Sequence, residues 1–154
     1  MTASHWSGPI MAGPNKDAGD SSNPFNQGFA VLGQYASISF NNTLKSEVQI
    51  NIPPGSQILD IVVDVETVFN SATSATFSAG ITSGGTDYVS GVNVKASTGR
   101  IRPTFTAAQL AAMNGVGLTG TPAPIPGPVF LTVTSVGVPT AGFITIDVMY
   151  SQIV

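Results

Sequence analysis

The residues able to carry chemistry in this 154-residue chain are few enough to weigh singly. Asp60, Asp64 and Glu66 recur at even spacing within an apolar run, so an extended backbone puts all three on one face. Carboxylates so placed are raw material for a cation site or for general acid–base work. At about 3.3 Å per residue, Asp60 and Asp64 lie roughly 13 Å apart, too far to hold one ion. Asp64 and Glu66, roughly 7 Å apart, would need a further ligand from another strand. A solvated strand face is the expectation. Asp17 and Asp20, in a polar N-terminal stretch, are discounted in the same way. His5 is the single histidine and has no partner close in sequence for the role of base or ligand. No Ser lies in a Gly-x-Ser-x-Gly setting, and Gly80 to Gly85 lacks the Lys and following helix of a phosphate loop. Asn41-Asn42-Thr43 matches a glycosylation acceptor, a short motif that commonly arises by accident. With zero cysteines, thiol catalysis, disulfides and thiolate zinc sites are excluded. The expectation is therefore no catalytic residue, no cofactor and no metal.

Lys95, Arg100 and Arg102 form the one basic cluster, suited to an acidic patch on a partner or simply to solvating a sheet edge. Charged residues are 8% of the chain, with five Lys and Arg against eight Asp and Glu. The net charge of −3 and pI near 4.7 argue against nucleic acid and anionic membranes as partners. No apolar stretch approaches the roughly 18 residues of a membrane span. The N-terminal residues have neither the basic nor the apolar region of a secretion signal. Mean hydropathy is +0.28 with 42% hydrophobic residues, high for so few charges. Some apolar surface is expected to be covered by a partner, and a homo-oligomer follows, a trimer sooner than a dimer.

These side chains need a scaffold, and the pattern for it is β. Ile38 and Phe40 alternate with serines; Val48, Ile50 and Ile52 alternate with Glu47, Gln49 and Asn51. Pro53-Pro54-Gly55 ends that run. The longest strand is expected from Gln57 to Phe69, with Leu59, Ile61, Val63 and Val65 on one face and Asp60, Val62, Asp64 and Glu66 on the other. Phe77, Ala79 and Ile81 mark a short strand, and Tyr88 to Val94 another. Leu131 and Val133, then Ile144, Ile146, Val148 and Tyr150, mark the last two. One segment is helical: Thr106 caps Ala107 to Met113, Gln109 at the third helical position closes a capping box, and Asn114-Gly115 stops it. Pro122, Pro124, Pro126 and Pro128 make an extended crossover loop. Seven to eight strands spaced this way predict an all-β fold, a jelly-roll or Greek-key β-sandwich with one short helix, over residues 35–154. Residues 1–34 read as an extended N-terminal arm. Gly-Pro and Asn-Pro pairs punctuate it, yet Trp6, Ile10, Phe25 and Phe29 recur as apolar anchors for a neighbouring surface.

The segment Leu44 to Val68, with its Glu47-Val48-Gln49-Ile50-Asn51-Ile52-Pro53-Pro54-Gly55, resembles one found in small virion proteins of tailed bacteriophages. So do Gly99-Arg100-Ile101-Arg102-Pro103-Thr104-Phe105-Thr106 and the ending from Pro139-Thr140-Ala141-Gly142 through Tyr150. The resemblance covers about Leu44 to Val154. It implies a jelly-roll capsid cement or decoration protein, made in the host cytoplasm and bound to the outer surface of the virion shell. Its partner would be the major capsid protein. The second reading is a tail or head-fibre component that binds a receptor or glycan. The third is a glycan hydrolase, which needs paired carboxylates and aromatic platforms that one Trp and three Tyr supply poorly.

Overall fold

Alternating runs become strands because a pleated backbone withdraws every second side chain to one side while Ser, Thr, Asn and Gln stay wet on the other. The computed structural model describes residues 29–53, 56–114 and 128–153. In chain order these form β1 (Phe29–Ser39), β2 (Lys45–Asn51), β3 (Gln57–Thr67), β4 (Ser74–Gly80), β5 (Val89–Asn93), β6 (Gly99–Ile101), α1 (Ala107–Met113), β7 (Pro128–Val136) and β8 (Phe143–Ile153). Trp6, Ile10 and Phe25 lie outside the described residues, as do Pro122, Pro124 and Pro126.

The strands make two four-stranded antiparallel sheets, ordered β1-β8-β3-β6 and β2-β7-β4-β5. The pairs β1 with β8, β2 with β7, β3 with β6 and β4 with β5 amount to one long hairpin. Wrapping that hairpin on itself adds the pairs β3 with β8 and β4 with β7, which complete the sheets. The expected all-β sandwich, of jelly-roll or Greek-key kind, is what the chain forms.

The core lies between the sheets. Ile38 of β1, Ile61, Val63 and Val65 of β3, and Ile144, Ile146 and Val148 of β8 face Ile50 of β2, Phe77 and Ala79 of β4, and Val129, Leu131 and Val133 of β7. Phe69, Tyr88, Val94 and Met113 join the same buried cluster from the connections and the helix. The capping box is present: the Gln109 N–H donates to Thr106 Oγ1 at 3.2 Å, and the Thr106 N–H donates to Gln109 Oε1 at 2.9 Å. Asn114 is the C-cap, its N–H donating to the Leu110 carbonyl.

Three expectations change. The first strand begins at Phe29, so residues 29–34 belong to β1 and pair with Ile153 through Val148. Phe29, expected as an anchor of the arm, is the first residue of that strand. Gly33 breaks the apolar pattern locally, but an unbroken ladder of 11 residue pairs against β8 carries the strand across it. Leu59 does not face the core: it is 44% exposed while Ile58 is buried. The register of β3 slips between Ile58 and Asp60, so Leu59 is the extra residue of a bulge and the alternation changes phase there. Ile81 is exposed rather than in a strand, because its N–H turns to Asp87 Oδ2 at 3.0 Å and the chain bends after Gly80.

Candidate interaction surface

The outer face of the β1-β8-β3-β6 sheet gathers most of the residues singled out from the sequence. β3 turns Asp60 and Asp64 to the outer face because their neighbours Ile61, Val63 and Val65 are held in the core, while Val62 between them is covered and only 6% exposed. β6 pairs with Val63 to Val65 and brings Arg100 directly opposite Asp64. The Arg100 guanidinium grips that carboxylate in a fork: Nε to Oδ1 is 3.1 Å and Nη2 to Oδ2 is 2.8 Å. Arg102 follows two residues on, its Nε 3.2 Å from Asp60 Oδ2. The Arg100 hydrogen bonds hold the Asp64 carboxyl below its ordinary range, against a smaller opposing effect of burial. The same contact holds the Arg100 guanidinium above its ordinary value.

The basic cluster is thus divided. Arg100 and Arg102 are neutralised by carboxylates of their own sheet. Lys95 is drawn away, its Nζ donating to the Ser71 carbonyl in the β3–β4 connection. Glu66 is occupied as well, its Oε1 accepting from the Thr145 hydroxyl at 2.7 Å. Among the described residues no group of three or more His, Cys, Asp or Glu is placed to hold a metal ion. The guanidinium groups are exposed but already paired, so little net positive charge is left for an acidic partner.

Sequence reading missed two features. The first is a network over the other sheet. Glu47 of β2 accepts from the Thr132 hydroxyl at 2.7 Å, the Gly84 N–H at 3.0 Å and the Ser83 hydroxyl at 3.1 Å. Lys45 Nζ lies 3.0 Å from the same carboxylate oxygen. This fastens the β4–β5 loop onto β2 and β7. Burial pushes the Glu47 carboxyl up, but the hydrogen bonds from Thr132, Lys45 and Ser83 outweigh it and hold it below its ordinary value. No local motif announces contacts between residues so far apart in the chain. The second is the β1 edge, where Val31 is 65% exposed, Leu32 41% and Tyr35 73%. Its signal was present: Phe29 to Ser39 contains no charged residue. This apolar rim lies at the opposite edge of the sheet from the paired charges of β3 and β6, and it is suited to contact with another surface.

No protein family's sequence profile matches this chain, and no curated protein matches it in sequence. A solved structure does match in shape: a chain of the "Cyanophage Pam1 capsid asymmetric unit", with a TM-score of 0.53 and 18% identity. The match covers 94% of this chain and 99% of the other, so the two share one fold over nearly their whole lengths.

Proposed function

We propose that this chain is a structural protein of a bacteriophage virion, a cement or decoration protein that binds the outside of the major capsid shell. The observation that carries the reading is the end-to-end likeness to a chain of about the same size within a cyanophage capsid unit. The wound double-hairpin order of the strands supports a jelly-roll reading, in keeping with this role. The side-chain inventory agrees with it. Among the described residues, the charged side chains singled out for chemistry are engaged with one another, with the Thr145 hydroxyl or with backbone, and apolar surface is left for contact.

In this reading the body sits on the shell and residues 1–28 reach across to a neighbouring subunit, with Trp6, Ile10 and Phe25 as anchors. Burying each anchor contributes roughly 1.5–3 kcal/mol. Ordering the backbone costs about 1–2 kcal/mol per residue, so the arm must also make main-chain hydrogen bonds where it docks. Association through such surfaces makes the protein a homo-oligomer on the particle.

The test is to add the purified chain to undecorated capsids and to image the particles. An even coat over the shell supports the cement reading, together with raised resistance of the particle to heat. A few copies at one vertex identify a tail or head-fibre component instead. No binding to capsids of any phage that encodes the chain overturns both.

A further inference from the structure

A sandwich of two open sheets has four edge strands, and each is a template for pairing with another chain unless it is blunted. Three of the four are blunted here. β6 is three residues long and carries Arg100. β5 is five residues long, slips register against β4 between Phe77 and Ala79, and contains Gly91 at φ +70°. β2 carries Lys45 and Glu47. β1 has none of these devices. It is 11 residues long, has no charge and no proline, and runs in unbroken register with β8. Among the described residues its backbone pairs with β8 alone, and one side-chain bond, Gln34 Nε2 to the Asn51 carbonyl at 2.9 Å, ties it to β2.

We propose that the outer edge of β1 pairs with β1 of a second copy, antiparallel and about a two-fold axis through Gln34. The strand is self-complementary in that register. Gln34 meets its own counterpart, Val31 meets Ser37, and Leu32 meets Ala36. Gly33 meets Tyr35. Nothing lies within 4 Å of where a Gly33 side chain would begin, and Tyr35 stands two residues along on the same outer face. Each tyrosine ring then covers the other copy's glycine, a cross-strand pairing that makes up for the missing side chain. With no charge on the strand, nothing repels, and the exposed Val31 and Tyr35 side chains gain cover. The two sheets join into one of eight strands, and the two-fold contact closes without leaving a further β1 edge to propagate. A two-fold contact here replaces the trimer expected from composition. This inference does not depend on capsid binding, and each fails on its own experiment.

The chain has no cysteine, so single-cysteine variants report the register cleanly. Under mild oxidation at low micromolar concentration, Gln34→Cys is expected to form a disulfide-linked dimer. Ser39→Cys is expected to stay unlinked, since its two copies stand roughly 33 Å apart in this register. Light scattering of the unmodified full chain is expected to give twice the 15.7 kDa chain mass, falling to one chain in Val31→Lys/Tyr35→Lys. Both positions are exposed, so that variant keeps its β-sheet circular dichroism. A single-chain or three-chain mass overturns the proposal, as does equal cross-linking of the two cysteine variants. So does a dimer indifferent to the two lysines. A full chain that is monomeric and dimerises only when residues 1–28 are removed shows that its own arm occupies this edge, and overturns it too.

Discussion

Burial and hydrogen bonding pull the Glu47 carboxyl in opposite directions, and the donors prevail. Its depressed pKa makes it a source of stability with a definite pH window. The contribution is complete above the ordinary glutamate value of about 4.3 and is lost as pH falls through the lower folded value. Asp64, depressed by Arg100, acts with the same sign. Urea unfolding at pH 7 and at pH 3 is expected to show a smaller loss on acidification for Glu47→Gln than for the unmodified protein. Equal losses would mean that the network does not favour the charged form. On β3 the two faces give opposite expectations. Val63 is fully buried, so Val63→Asp puts an unpaired charge in the core and should abolish cooperative unfolding. Asp64→Asn, on the solvent side, should leave the unfolding midpoint close to that of the parent. Equal stability of the two variants would show that the facing is wrong.

At the scale of elements, turns and caps hold the sheets in register. Gly142, between β7 and β8, has φ +152°, and a Cβ there would lie 2.5 Å from the Phe69 ring. Gly142→Ala combines a backbone strained for any other residue with overpacking against a fully buried aromatic. The expected cost is at least about 2 kcal/mol, read as a shift in the denaturation midpoint. The capping box of α1 is more forgiving. Thr106→Ala removes one hydrogen bond at the helix start and should cost about 1 kcal/mol. A helix of seven residues is marginal alone, and it persists because Met113 is anchored in the core.

For the whole molecule, the start of β1 decides where the arm ends. Removing residues 1–28 should leave a body that unfolds cooperatively with its midpoint nearly unchanged, while occupancy on undecorated capsids falls. Removing 1–34 also strips the part of β1 that pairs with Val148 to Ile153 and should lower the midpoint clearly. Scanning calorimetry of the two truncations checks this, and equal midpoints would place the boundary back at Tyr35.

The sequence by itself determined the class of fold and most of the core. Period-two runs such as Ile144, Ile146, Val148 and Tyr150 have one arrangement that keeps them dry, and all four are buried. The helix was equally legible, since Thr106, Gln109 and Asn114 act on backbone groups within four residues of themselves. What lay beyond local patterning was decided by tertiary structure. The bulge at Leu59 arises from register against β8, some ninety residues away, and it moved a residue from the expected core to the surface. Arg100 and Arg102 read as a free basic cluster until β6 was laid beside β3, because a pairing of strands about 36 residues apart leaves no trace in local spacing. The exposed edge of β1 belongs to the same group. An uncharged strand can be read from residue types, but whether it lies inside a sheet or at its margin depends on strand order, which only the folded chain sets.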